Sequence, residues 1–403
     1  MGGRCRSPTA GWPRARPGIR PGTPAAQRWA SSPHCRVYHA SPPWETLRCV
    51  RCGAVDFDLS ADQLALRDAA KALLDDRCDM AAVRRACDRG GFDAGLWQAM
   101  VDQGWTGIAV PEALGGVGLG TVEAAVLLEQ TGARLAPVPL LQQLVALAAL
   151  AGGSWGDRLL SGETVACVAR TPLQRTGEGS VSGRTEPVVY GARAGVLVAP
   201  AGDELVAVDL AGVARSPEPA MDQTRELAWI DLDGATAVPV GGADEVAAHL
   251  DRGAVFHSAE MLGAAETVMN LAVEYAKVRE QFGRPIGSFQ AVKHRCADML
   301  VDVEAMRSAV YHAAWALGTG GREAAETAAV AKIWCSDAAV RVAESALQVH
   351  GGIGFTWEAD VHLYLKRVQL DSVSFGDARH HRARLADVLR DRVESGAGIW
   401  PDQ

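Results

Sequence analysis

The chain has 403 residues, of which 48% are hydrophobic and 22% charged, with a formal net charge of −8 at pH 7. That length and composition suffice for a large core divided among two or three domains, and the acidic balance excludes a general nucleic-acid binder. The nine cysteines lie scattered without a framework. Those in helical patterns, such as Cys296 and Cys335, read as small apolar residues of a protein in a reducing cytoplasm.

Residues 1–54 are rich in proline and arginine, carry one acid, Glu45, and show no helical or strand period. They are expected to stay outside the packed core, as a disordered or misassigned N-terminal extension. Arginine richness suits a transit peptide, but proline at this density opposes the amphipathic helix such a peptide uses. Cys49 and Cys52, with Cys35, His34 and His39 nearby, offer half of a zinc site. No second Cys-x-x-Cys pair exists, and no metal is expected.

Residues 55–162 read as a helical domain. Ser60 or Asp62 is placed to cap a helix whose apolar face is Leu64, Leu66, Ala69, Leu73 and Leu74. The run Gly115-Gly116-Val117-Gly118-Leu119-Gly120 invites a dinucleotide-loop reading, but G-x-G-x-x-G fails at Thr121 and no alternating strands and helices surround it. Its glycines are assigned to tight packing, ahead of a helix over Val122 to Thr131. The apolar run Leu140 to Ala151 is interrupted by Gln142 and Gln143 and falls short of the roughly 20 residues of a membrane span.

Residues 163–244 change to short β-branched segments at Val165 to Ala169, Val188 to Tyr190, Gly195 to Ala199, Glu204 to Val208 and Leu227 to Ile230, with a turn expected at Ser182-Gly183-Arg184. Residues 245–395 return to helix: Ala254 to Val278, Ala291 to Leu317 and Glu323 to Val349. In the second of these, Val292, Cys296, Met299, Val303, Met306, Val310, Ala314 and Leu317 form a buried stripe. The chain is thus α+β, a small β domain between two helical ones.

Two glycine-punctuated stretches stand out in the last part. Arg279 to Gln290 joins two long helices and offers guanidiniums at Arg279 and Arg284 and amides at Gln281 and Gln290; it is either an anion-binding corner or a helix hairpin with solvated arginines. Gln348-Val349-His350-Gly351-Gly352 follows about sixty residues on. Taken together, in this order and spacing, the two stretches resemble those of the acyl-CoA dehydrogenases, and the resemblance extends over roughly Asp56 to Leu389.

The resemblance implies an N-terminal helical domain, a middle β-barrel or sandwich and a C-terminal four-helix bundle, acting on acyl-CoA with FAD as a homo- or heterotetramer. It implies that Arg279, Gln281, Phe282, Gln290, Gln348, Gly351 and Gly352 hold the ADP half of a neighbouring subunit's FAD. Departures are equally specific. The family's flavin-ring loop is replaced by Ala169-Arg170-Thr171-Pro172-Leu173-Gln174, with Thr185-Glu186-Pro187 as a displaced partial copy to which no ring contact is assigned.

In the family a carboxylate removes the α-proton of the thioester while the β-hydrogen leaves as hydride to the flavin. The usual glutamate position holds Phe375. The alternative position, counted back without gaps from Arg279, is Gly253; the arginine that follows it falls on Ala254, with Arg252 close enough to substitute in substrate binding. Asp377 is the nearest acid to the first position, and Asp251 and Glu260 flank the second. His380 and His381 read as helix-surface residues or partner contacts. The pattern implies a subunit of a heteromeric enzyme whose related partner supplies the base, as in bacterial members acting on sterol side-chain or other bulky thioesters. The rivals are a self-sufficient enzyme with Asp377 as relocated base and a non-catalytic relative.

Overall fold

A computed structural model describes residues 58–320 and 323–396; the expectations for residues 1–54, with Cys35, Cys49 and Cys52, lie outside the described residues. Ser60 and Gln63 exchange side-chain and backbone hydrogen bonds of 2.9 and 3.2 Å, a reciprocal cap that starts α1 (Ala61–Arg77). Asp79 and Asp93 cap α2 (Met80–Cys87) and α3 (Ala94–Asp102) one-sidedly, accepting the Ala82 and Leu96 N–H groups. Then follow α4 (Thr121–Ala133), α5 (Leu140–Leu150) and α6 (Gly156–Leu160). Gly116 does serve packing: a Cβ there would lie 2.1 Å from the Val110 carbonyl oxygen.

The middle of the chain forms one sheet from β1 (Ala166–Val168), β2 (Gln174–Gly177), β3 (Ser180–Arg184), β4 (Val188–Val189), β5 (Val196–Ala201), β6 (Glu204–Asp209), β7 (Ala214–Glu218) and β8 (Leu227–Gly241). The order is β1-β5-β6-β8-β3-β2, with β4 and β7 also on β8. β8, 15 residues long, pairs with β6 at its C-terminal end and with β4 and β7 at its start, and so holds both halves together.

The α+β class expected holds; of the expected barrel or sandwich, the barrel does not close. β1 and β2 stand at opposite ends of the order, and β2 is exposed along its whole length, so joining the edges would bury no apolar surface. Ser182-Gly183-Arg184 is also not a turn. It belongs to β3, paired with Leu232 and Asp231 of β8 across a register irregularity; a polar, glycine-bearing segment becomes strand because β8 offers an edge.

From Ala243 the chain is mostly helical. α7 (Ala243–Val278) begins earlier than Ala254 because Glu245 reaches back to the Gly242 N–H at 2.7 Å. A hairpin of β9 (Glu280–Gln281) and β10 (Arg284–Pro285) leads to α8 (Gln290–Thr319), which ends at left-handed Gly320. α9 (Ala324–His350), α10 (Val361–Val373) and α11 (Ala378–Glu394) complete the bundle. On α8, Met299, Val303, Met306, Val310 and Ala314 are buried while Val292, Cys296 and Leu317 are half-buried. Each of the larger buried side chains contributes about 1.5–3 kcal/mol. Among the described residues no helix is long and apolar enough to cross a membrane.

Candidate functional site

The two glycine-rich stretches meet at one end of the bundle. Tyr275, near the end of α7, stacks on His350, the last residue of α9, with ring centroids 4.5 Å apart. At that end the Arg279 guanidinium is exposed and has no hydrogen-bond partner among the described residues. Gln290 opens α8, whose cap residue Phe289 makes no side-chain hydrogen bond; the Val292 and Lys293 N–H groups both donate to the Phe289 carbonyl at 3.1 Å. Gln348 and Gly352 are exposed, and a Cβ on Gly351 or Gly352 would meet nothing within 4 Å.

Exposed aromatics surround this end. Phe282, at the tip of the hairpin with φ +54°, is 93% exposed, and Phe355 and Trp357 are 71% and 59% exposed. Gln281 donates to its neighbour's carbonyl at 2.7 Å, and the Arg284 guanidinium lies 4.2 Å over the Phe289 ring. Cationic, amide and backbone donors thus share a surface with uncovered aromatic rings.

Phe375 and Gly253, the two positions at which a base was expected by resemblance, also meet, and they fill one another. A Cβ on Gly253 would fall 2.1 Å from the Phe375 ring. Phe375 is buried, in a left-handed conformation (φ +55°) ahead of Gly376 (φ +96°), a conformation that packing must hold for a bulky residue. Three histidines brace it. Its ring lies 5.5 Å from that of His249 and 5.7 Å from that of His257, and its carbonyl accepts from His381 Nε2 at 2.9 Å. His381 is therefore not a surface residue; it is buried because the turn folds back over the start of α11. Burial holds His249 and His381 neutral, each pushed down to about 4.

The nearby acids are engaged. Asp377 is exposed and caps α11 by accepting the His380 N–H at 2.7 Å; it lines a cleft of about 450 Å³ with Arg379 and Arg382. Asp251 pairs with Arg384. Glu260 pairs with Arg225, which also binds Asp371 at 2.8 Å. Arg252 is half-buried, and burial lowers its pKa against the pull of Asp251.

Beneath the Phe375 turn lies an ionic cluster that motif reading missed. Asp371 receives His257 Nδ1 at 3.1 Å and Arg225 at 2.8 Å, and the Arg225 guanidinium holds the Asp371 carboxyl below the usual carboxylate range against the effect of burial. Lys332, pushed down to about 7 by burial, donates to the Asp371 and Ser372 carbonyls at 2.7 and 2.9 Å. The ligand atoms of His257, Glu260 and Asp371 lie within 4.8 Å of one another, but the Arg225 cation already sits between the two carboxylates. In the sequence Asp222-Gln223-Thr224-Arg225 reads as an ordinary polar turn between strands, so no local signal marks the cluster.

The middle sheet adds one more feature. Glu186 accepts the Arg170 and Thr171 N–H groups at 2.6 and 3.1 Å. His249 Nε2 lies 3.0 Å from the Ala169 carbonyl oxygen, and the Ala169 N–H donates to Val198 at 2.9 Å. A separate cleft of about 1080 Å³ opens between α1, α4, α7 and α8; neither Phe375 nor Gly253 lines it.

Helical layer, open sheet and a bundle with an arginine hairpin beside a glycine turn define an acyl-CoA dehydrogenase fold. Residues 60–155 match the model of the acyl-CoA dehydrogenase N-terminal domain and residues 241–389 that of the C-terminal domain. Acyl-CoA dehydrogenase IpdE2 of Mycolicibacterium smegmatis is 36% identical over 334 residues, covering 81% of this chain and 98% of that protein. A chain of the ChsE4-ChsE5 complex from Mycobacterium tuberculosis superposes with a TM-score of 0.78 at 30% identity, covering 84% of this chain and 99% of its own. The steroid ACAD Tcur3481-Tcur3483 gives 0.76 at 28% identity, over 83% and 99%. The chain belongs to the acyl-CoA dehydrogenase family, whose members are FAD-dependent oxidoreductases.

Proposed function

We propose that the chain is one subunit of a heteromeric acyl-CoA dehydrogenase, in which a related partner supplies the catalytic base and the flavin-ring contacts. The observation that carries this is the asymmetry between the two ends of the site. Both base positions are apolar and packed against each other at Phe375 and Gly253, while at the other end the Arg279 guanidinium lies at the surface with no hydrogen-bond partner among the described residues. Its exposed Phe282, Phe355 and Trp357 suit coverage by another chain.

In this reading Arg279, Gln281, Phe282, Gln290, Gln348, Gly351 and Gly352 hold the ADP half of the partner's FAD. Arg279 and the first turn of α8 supply positive charge to the diphosphate, and the open space beside Gly351 and Gly352 lets backbone approach it. When bound, FAD accepts the β-hydrogen of the acyl thioester as hydride. No residue of this chain takes the α-proton; Asp377 gains no support as a relocated base, because its carboxylate caps α11. Arg252 is the residue of this chain assigned to acyl-CoA binding. The neighbours named as a two-component complex and as a steroid ACAD support an unlike partner and a bulky, steroid-type thioester. Domains at 55–162, 163–244 and 245–395 and a cytoplasmic location belong to the same proposal.

The test is the visible absorption of the chain purified alone and co-expressed with a candidate partner that retains its glutamate. Alone it should be colourless, and with the partner flavin-bound. Arg279→Ala in the mixed assembly removes a charged hydrogen-bond donor, a loss of roughly 1.5–3 kcal/mol, and should weaken FAD binding about tenfold or more. Unchanged FAD occupancy would show the assignment to be wrong.

A further inference from the structure

We infer that the ring side of the flavin site in this chain is not merely stripped of contacts but sealed by the chain's own Glu186, His249 and Phe375, so that it takes no isoalloxazine. The inference deepens the subunit reading above and rests on it.

A flavin ring needs backbone donors and acceptors along one edge and a flat space over its face. The segment that would offer them follows β1, and its groups are answered within the chain. The Arg170 and Thr171 N–H groups are held by the two Glu186 oxygens at 2.6 and 3.1 Å. The Ala169 N–H goes to Val198 at 2.9 Å, and the Ala169 carbonyl receives His249 at 3.0 Å. A carbonyl oxygen only accepts, so His249 Nε2 carries the proton and donates.

The same His249 ring contacts Phe375, which in turn occupies the volume above Gly253. Glu186, the loop, His249, Phe375 and Gly253 therefore form one continuous wall from the sheet to α7. A ring entering here would displace a carboxylate from two N–H groups, a charge-assisted interaction stronger than the neutral bonds a flavin offers, and would expel a buried phenyl group. The residues present do not fit the ring.

The experiment uses the full chain, alone and assembled with its partner, with riboflavin as the ring probe and amide hydrogen exchange as a second readout. Expected are no riboflavin uptake beyond the FAD already bound, and Arg170 and Thr171 amides slowed at least about a hundredfold relative to an open loop, with or without added FAD. Saturable riboflavin binding by the unaltered chain, or fast exchange at these amides that slows only on adding FAD, would overturn the inference. The assembled double variant Glu186→Ala, Phe375→Ala should gain riboflavin affinity at least tenfold; a folded variant that gains none would equally overturn it. If that variant fails to fold, the exchange measurement on the unaltered chain still decides. Arg279→Ala should weaken binding of the partner's FAD about tenfold or more without changing exchange at Arg170 and Thr171, so each reading can fail alone.

Discussion

At Gly253 a single methyl group would land 2.1 Å from an aromatic ring that is itself buried. Gly→Ala inside a helix ordinarily gains stability, but here overpacking dominates, and Gly253→Ala should cost about 1–3 kcal/mol, read as a lowered denaturant midpoint. Phe375→Ala alone should cost about 3–5 kcal/mol through the cavity it leaves. In the double variant the Gly253 penalty should vanish; a penalty that persists would mean the two residues are not in contact. The sequence shows each position vacant of acid. That the two absences are a single packing contact depends on α7 and the turn before α11 meeting across more than a hundred residues of chain, which no local pattern encodes.

Among the elements, the loop between β7 and β8 does what neither strand does: it drives Arg225 between α7 and α10, where it is fully buried between Glu260 and Asp371. Asp222 and Thr224 of the same loop bind the buried Arg367, Asp222 at 2.9 Å. Arg225→Met keeps the volume and strands two buried carboxylates, and should cost about 3–5 kcal/mol, measured by chemical denaturation; a loss below about 1 kcal/mol would show the cluster to be hydrated. Helix starts such as Ser60 were legible because the cap is local, three residues long. β2 and β3 were not, because their polar residues become strand only against β8.

For the whole molecule, the neutral buried histidines set a pH window. His249 and His381 have folded pKa values of about 4, against about 6.5 unfolded. Between these values the unfolded chain binds protons that the fold refuses, so their contribution is complete above about pH 6.5 and is lost as pH falls toward 4. Thermal midpoints should drop across that interval, and His249→Asn, which keeps a donor toward the Ala169 carbonyl, should drop less. Equal slopes for the two proteins would remove His249 from the account.

Periodicity, caps and two glycine-rich motifs were enough to give the α, β, α order, the long bundle helices and the family, because each signal lies within a few turns of chain. Counted from those motifs, the two positions expected to hold the base carry Phe375 and Gly253. What tertiary structure alone decided is what fills the gaps: an open sheet in place of a barrel, His381 turned inward, Phe375 seated on Gly253, Glu186 on the Arg170 and Thr171 N–H groups, and Arg225 between two carboxylates. Those are contacts between residues far apart in sequence, fixed by the burial of surfaces that exist only once the helices and sheet have packed.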